Sequence, residues 1–226
     1  MMEDEMENPE EHIKEIQVRN RIIEGAREAF FEYGFSRVTM DEVSEKLRMS
    51  KKTLYKHFSS KDLLLKEVMQ SYCSGMECKM KPIMENLDID FIEKMMTMGP
   101  IVAENIAKIP FPFLKDLERN APETYREYLD WRRNNITLNF GNFLREGIQK
   151  HVFRDDMNVE AIVTMYLTLI DGMFRAEVLN TLPLTPGQVY VMIARTLTEG
   201  IIADEARNGY MLRTRPTPVN DFFLSI

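Results

Sequence analysis

Two helix starts fall inside one short stretch, Thr39 to Phe58, and they limit what this chain can fold into more than any other feature. Thr39 and Glu42 form a Thr-x-x-Glu capping box, which predicts a helix from Met40. Val43 and Leu47, four apart, give that helix one apolar edge. Met49 and Ser50 break the pattern. Ser50 is a good N-cap, and Leu54 and Phe58 give the next helix its own edge. Two short helices joined by a tight turn make a helix-turn-helix, which presents its second helix to a DNA major groove. That second helix offers Lys51, Lys52, Thr53, Tyr55, Lys56 and His57 within about a turn and a half. A structural helix can carry such residues. Their density at a capped N-terminus points instead to DNA reading, with Ser50 itself at the DNA-facing end. Arg37 and Thr39 stand just before the first of the two helices, where a helix N-terminus can meet phosphate.

Gly34, Phe35, Thr39 and the run from Met49 to Leu64 resemble the DNA-binding domain of the TetR family of bacterial transcriptional regulators. The match of turn, cap, aromatic and lysine positions covers about Ile16 to Val68. Beyond it the likeness is one of length, helical character and loop signatures. Where Lys52 stands, the family often has a small residue or Pro. The resemblance implies an all-α fold. A three-helix helix-turn-helix head is joined by a linking helix to a larger C-terminal helical body for ligand binding and dimerisation. It also implies that the linking helix from Lys61 to Tyr72 acts as a lever, with Lys61 at its start touching phosphate.

Composition agrees with a helical protein. The 226 residues hold only ten Gly and ten Pro, and long stretches repeat at helical period. The net charge is −7, which argues against indiscriminate nucleic-acid binding. Its distribution matters more: residues 13–66 carry twelve Lys or Arg against eight acids, a net +4. The first twelve residues are acidic, without the basic start or apolar stretch of a signal peptide, and no run is long enough for a membrane span. These features predict a cytoplasmic protein with no membrane contact. Cys73 and Cys78, five apart on a predicted helix, point in different directions and read as reduced thiols. With three His and no His/Cys cluster, no metal site is expected. No phosphate loop, nucleophile motif or cofactor signature appears, so the chain is expected to be neither an enzyme nor a cofactor carrier.

Taken in order, residues 1–12 read as a mobile acidic arm, 13–60 as the DNA-binding domain, 61–207 as the helical body and 208–226 as a tail. A first helix is predicted from Glu15 to Tyr33, with Val18, Ile22, Ala26, Ala29, Phe30 and Tyr33 on one stripe. Ser60 caps the linking helix. A helix over 88–109 should be interrupted at Gly99 and Pro100. After an aromatic helix from Phe111, a long helix is predicted over 123–150. Its stripe is Tyr125, Leu129, Arg132, Ile136, Phe140, Phe143 and Ile148. Asn158 caps a helix over 159–179, and Thr185 with Gln188 boxes another over 186–207.

Met95, Met98, Phe113, Trp131, Asn135 and Phe140 are pocket candidates, since Met and aromatic residues make adaptable cavities as readily as plain helical cores. Arg132 and Arg133 are expected to pair on the surface with Glu127 or Asp130. The helix over 159–179 is apolar almost all round and needs a second covering surface. With the next helix it predicts a homodimer through Tyr166, Ile170, Phe174, Tyr190, Ala194, Leu197 and Ile201. The resemblance, more than these residues, implies a repressor released from a palindromic double-stranded operator by a small-molecule effector. The alternatives are a TetR-like activator, an effector-independent regulator, and a helical interaction or ligand-carrier protein with vestigial DNA binding.

Overall fold

The computed structural model describes residues 9–214, and its regular elements there are helices, with one isolated bridge between Phe153 and Ile202. Most of the acidic arm and of the tail, residues 1–8 and 215–226, lies outside the described residues. The helices are α1 (Pro9–Tyr33), α2 (Met40–Lys46), α3 (Lys51–His57), α4 (Lys61–Glu85), α5 (Phe91–Lys108) and α6 (Phe111–Asn120). Then come α7 (Pro122–Asn135), a π-helical turn (Ile136–Phe140), α8 (Gly141–Gln149), α9 (Val159–Met173), α10 (Ala176–Leu179), α11 (Pro186–Ile201) and α12 (Asp204–Thr214). They form two compact units. The first joins the chain up to Ser74 with Pro110–Tyr128, and the second joins Gly75–Ile109 with the chain from Leu129.

The first unit is built on α1. Its stripe of Ile22, Ala26, Ala29 and Phe30 is buried, and Val43, Leu47, Leu54, Phe58, Leu64, Leu65 and Val68 close over it. Gly25 permits the close approach of α2, because a Cβ there would sit 2.4 Å from Leu47 Cδ2. Tyr33, expected on the stripe, is 57% exposed; the chain turns at Gly34 (φ +91°), and Phe35 enters the core in its place, edge-on to Phe30 at 5.5 Å. α6 belongs to this unit: Phe113 and Leu117 are buried, and Phe113 meets Phe31 of α1 at 4.7 Å.

The second unit is centred on Phe91, Phe143, Leu144, Phe153, Val163, Ile201 and Ile202. Phe91 stacks on Phe143 at 4.6 Å and takes Phe153 edge-on at 5.2 Å. Gly147 makes room for the Phe153 ring, since a Cβ there would lie 2.2 Å from it. Four elements differ from expectation. α5 runs unbroken through Gly99 and Pro100. A proline removes one helix hydrogen bond, and packing along α11 holds the helix across that loss. The long helix over 123–150 contains the π-turn, which inserts a residue and shifts the apolar phase. Leu144 and Gly147 are therefore buried, while Ile148 is only half-buried. The helix from Val159 stops at Met173, and the helix from Pro186 stops at Ile201. The second stop lets the strand-like segments pair, with Arg154 N–H donating to the Ile201 carbonyl and Ala203 N–H to that of Val152, each at 2.9 Å. At the chain's two ends α1 starts earlier than predicted, at Pro9, and a separate helix, α12, covers Asp204–Thr214 where the end of the preceding helix and the start of the tail were expected.

Candidate nucleic-acid interface

The α2–turn–α3 segment is held by local hydrogen bonds that the sequence already specifies. Thr39 Oγ1 accepts from the Glu42 N–H at 3.2 Å, and the Glu42 carboxylate accepts from the Thr39 N–H at 2.7 Å. The Thr39 N–H, and next the Thr39 hydroxyl donating at 2.9 Å, hold the Glu42 carboxyl below its usual range. Ser50 Oγ accepts from the Thr53 N–H at 3.0 Å and opens α3. Between them Arg48 takes a left-handed conformation (φ 51°), which ends α2 and turns the chain. The Met49 N–H donates to the Ser44 carbonyl at 3.0 Å, closing that turn. Arg21 of α1 donates to the Leu47 carbonyl at 2.5 Å and so caps the end of α2.

α3 is then divided cleanly into two sides. Leu54 and, at its C-cap, Phe58 are buried, with the Arg19 guanidinium 4.6 Å above the Phe58 ring. Lys51, Lys52, Tyr55 and Lys56 are exposed, and Thr53 and His57 are half-buried between the two sides. Arg37, Thr39 and Ser50 are exposed beside them. Arg37, Thr39, Ser50, Lys51, Lys52, Tyr55 and Lys56 are thus all exposed in the first unit, whereas Lys61 is set differently. The Lys61 ammonium is turned inward, donating to the carbonyls of Phe35 and Val38 at 3.0 Å each and lying 4.4 Å from the Phe35 ring centre. An ammonium has three donors, so these two bonds do not exhaust it.

Two of the exposed lysines meet carboxylates. Lys51 pairs with Asp41 of α2 at 2.6 Å, and Lys56 pairs with Glu15 of α1 at 2.5 Å. Each carboxylate holds its lysine charged to a higher pH than usual, first through the hydrogen bond and then through its charge. Lys52 has no carboxylate partner among the described residues.

Sequence reasoning missed Asp116 of α6. Its Oδ2 accepts from the Ser36 N–H at 2.8 Å, and its Oδ1 accepts from the Asn120 amide at 2.6 Å. Burial by itself pushes the Asp116 carboxyl up, but the bonds from Ser36 and Asn120 outweigh it and hold the group below the usual range. The Gly34–Val38 turn that leads into Thr39 is thus gripped by Lys61 of α4 and by Asp116 of α6. Eighty residues separate Ser36 from Asp116, and no local pattern announces such a bond.

The remaining predicted sites are gathered less well. Met95, Met98 and Phe140 pack around the core of the second unit, whereas Phe113 lies in the first unit against α1. Trp131 and Asn135 are half-buried in the second unit, and the Trp131 indole donates to Glu77 at 2.6 Å. α6 is amphipathic and turns Phe113 inward to α1, which removes it from the expected pocket. A cleft of about 600 Å³ in the second unit is lined by His151, Phe153, Arg154, Asp155, Asp156, Ala203, Asp204 and Glu205, and holds none of the six.

Among the dimer candidates Tyr166, Ile170, Tyr190 and Ile201 are buried inside the second unit and offer little surface to another chain, while Phe174, Ala194 and Leu197 are half-buried. The exposed apolar side of α9 and α11 is Met165 (51%), Leu169 (38%) and Met192 (43%). Helical period fixes how many faces are apolar, not which one turns inward. Burial raises the hydroxyl pKa of Tyr166, which hydrogen-bonds Tyr190, and pushes Tyr190 up to about 12. Arg132 and Arg133 pair with Asp171 of α9, at 2.5 and 3.5 Å. Glu127, one of the expected partners, pairs instead with Lys66 of α4 at 3.0 Å.

Comparison with known proteins follows the same division. Residues 22–68 match the family described as bacterial regulatory proteins, tetR family, and residues 89–192 match the tetracyclin repressor-like C-terminal domain. An uncharacterized HTH-type transcriptional regulator of Bacillus subtilis (strain 168), YvaF, is 27% identical over 172 residues, covering 76% of this chain and 89% of its own. Among solved structures, the fatty acid degradation regulator FadR from Bacillus halodurans superposes with a TM-score of 0.62 at 17% identity, over 80% of this chain and 95% of that one. The TetR family regulator PfmR from Thermus thermophilus does so with a TM-score of 0.56 at 22% identity, over 79% and 97%. At these identities the structural matches carry the fold alone.

Proposed function

The chain belongs to the tetR family of bacterial regulatory proteins, a family of HTH-type transcriptional regulators and not of enzymes, and on that premise we propose a repressor released from a palindromic operator by a small-molecule effector. The observation that carries the DNA reading is the two-sided α3. Its capped N-terminus holds Lys51, Lys52, Tyr55 and Lys56 outward on a buried Leu54 and Phe58. In this reading Lys51 and Lys61 grip phosphate, with Tyr55, His57, Arg37, Thr39 and Ser50 beside the backbone. Lys52, Thr53 and Lys56 meet base edges. Lys61 also holds the Gly34–Val38 turn and turns its remaining donor to phosphate.

A second copy of the chain is the partner this reading needs, because two heads match a palindrome. The exposed Met165, Leu169 and Met192 on α9 and α11 support that surface. Release by effector rests on α4 and α6. Both hold the turn in front of α2, through Lys61 and Asp116, so a ligand that favours a different setting of either helix re-aims the head. Such a ligand acts only through its different affinity for the two settings, and DNA must weaken it by the same factor. Met95, Met98 and Phe140 are the candidate contacts for an apolar effector. The reading also assigns the protein to the cytoplasm, where DNA is; among the described residues no helix is long and apolar enough to cross a membrane.

The test is operator selection from random DNA, followed by gel shift with the purified chain. A palindrome should emerge, and replacing Lys51, Tyr55 and His57 together by Ala should weaken its binding by about a hundredfold or more, since several phosphate contacts go at once. Recovery of no sequence, or a variant that binds as the wild type does, overturns the DNA reading. Repeating the shift with a library of apolar and cationic compounds tests release: if none changes DNA affinity, the effector part fails alone.

A further inference from the structure

The lysine-bearing side of α3 carries its own competitor for phosphate. α1 starts at Pro9, so Glu15 lies within the helix and not at its first residue. From there its carboxylate reaches 41 residues along the chain to the Lys56 ammonium, at 2.5 Å. Glu11, on the same helix, adds a second negative charge toward Lys56. Asp41 does the equivalent for Lys51 at 2.6 Å. The two pairs differ in kind. Asp41 lies on the neighbouring α2, within the helix-turn-helix, and is part of how α2 and α3 are joined. Glu15 lies outside the helix-turn-helix and bonds a side chain that the DNA reading above assigns to base edges.

Resting on that reading, we infer that Glu15 is a specificity-determining residue: its carboxylate stands in for a phosphate and keeps Lys56 from the backbone of non-operator DNA. A duplex without the operator bases offers Lys56 only another oxyanion, in exchange for the one it already has. An operator offers it base-edge acceptors at the place where the other α3 contacts are made, and these draw it away from Glu15. Non-operator complexes thus form with one fewer lysine on phosphate than the charge of the head would supply.

The salt dependence of binding reads this directly, because each lysine that engages phosphate releases counterions. For wild type on a duplex lacking the half-sites, the slope of log K against log salt should be shallower than for Glu15→Gln by about one phosphate contact. Glu15→Gln should bind that duplex about threefold to fivefold more tightly at low salt and the selected operator less than twofold more tightly, so that selectivity falls. Lys56→Met should erase both changes in the double variant. Glu15 is exposed, and the melting temperature of Glu15→Gln should match that of wild type. An unchanged slope and affinity for Glu15→Gln overturns the inference. So does an equal gain in the Lys56→Met background, which would mean that Glu15 acts only through its distant charge on the duplex. Loss of operator binding in Lys56→Met without Glu15→Gln having any effect would leave the DNA reading standing and the role of Glu15 refuted. No operator binding by wild type overturns both.

Discussion

Between Thr39 and Phe58 the bonds that start the two helices span three residues, whereas the ion pairs that tie the second unit together span tens. Thr39 with Glu42, Ser50 with Thr53 and Ser44 with Asp41 are separations of three. In the second unit Lys94 meets Glu146 across 52 residues, Arg132 meets Asp171 across 39, and Arg213 meets Asp90 across 123. A head that must present side chains at a fixed angle is specified by caps, which set helix starts locally. The second unit is specified by what happens to pack together. This is why one end of a chain can keep a readable motif while the other carries little pattern beyond its period.

The sharpest way to break the comparison is at Lys94. This lysine is 2% exposed; it donates to the Met84 carbonyl in the last turn of α4 at 2.9 Å and to the Glu146 carboxylate at 3.0 Å. A cation there satisfies an end-of-helix carbonyl and the negative end of the α4 dipole. Removing Glu146 leaves a buried charge with one carbonyl for company. Glu146→Ala should therefore destabilise the protein by about 3 kcal/mol, while Lys94→Met, which removes the charge and fills the space, should cost about 1 kcal/mol or less. The single Trp of the chain, Trp131, lies in the second unit and reports on it in a urea titration. A loss of less than about 1 kcal/mol for Glu146→Ala would mean that this distant pair does not organise the unit.

The head offers the matching local test. Thr39→Ala deletes one half of a capping box and should cost about 1 kcal/mol. Hydrogen exchange should quicken across 40–58, with the Trp131 transition unmoved. If the Trp131 midpoint falls in step, the two units unfold together and the contrast is one of wiring, not of stability.

The same contrast explains what was legible in the sequence. Helix starts at Met40, Lys51, Val159 and Pro186 were all announced by Thr39, Ser50, Asn158 and Thr185, because a cap is a bond to a residue three positions on. Helix ends followed less evenly: α1 ends at Tyr33 and α5 beside Ile109 as predicted, but the helices from Val159 and Pro186 stop short of their predicted ends. The π-turn at Ile136–Phe140 has no Gly or Pro in it, and it moved Leu144 into the core against the straight-helix phase. Pro100, a true breaker by local rules, was overridden by packing on α11. The surface of α3 could be read because its charges stand on a capped helix whose buried side is marked by Leu54 and Phe58. The partners of those charges could not, since Glu15 and Asp116 reach their targets only through the fold. The apolar residues of α9 and α11 showed the same limit: Tyr166 and Tyr190 turned inward, and Met165 and Met192 were left outside.

The smallest expected effect lies where the two kinds of bond meet on one side chain. Asp90 caps α5 with Oδ1, accepting from the Glu93 N–H at 3.0 Å, a local bond. Its Oδ2 accepts from Arg213 of α12 at 2.5 Å, a bond across the length of the unit. Arg213 first, and the Glu93 N–H next, hold the Asp90 carboxyl below its usual range. A carboxyl that is more acidic in the folded chain stabilises the fold above the ordinary carboxylate pKa. That contribution is lost as the pH falls through the lowered folded value. Asp90→Asn keeps an oxygen for the cap, and Asn is as good an N-cap as Asp, so only the ionic half of the bond to Arg213 goes. Both side chains of the pair are about half exposed (48% and 50%), which screens the interaction. The variant should thus be less stable at neutral pH by only roughly 0.5 kcal/mol. That difference should shrink in high salt and vanish once the pH is below the lowered value, where wild-type Asp90 is itself neutral. Matched urea titrations at neutral and acid pH measure it. A deficit that survives acid and salt unchanged would assign the Arg213 attachment to hydrogen-bond geometry instead of charge. A deficit well above 1 kcal/mol would place the docking of α12 with Lys94 and Glu146, among the distant bonds that organise the unit.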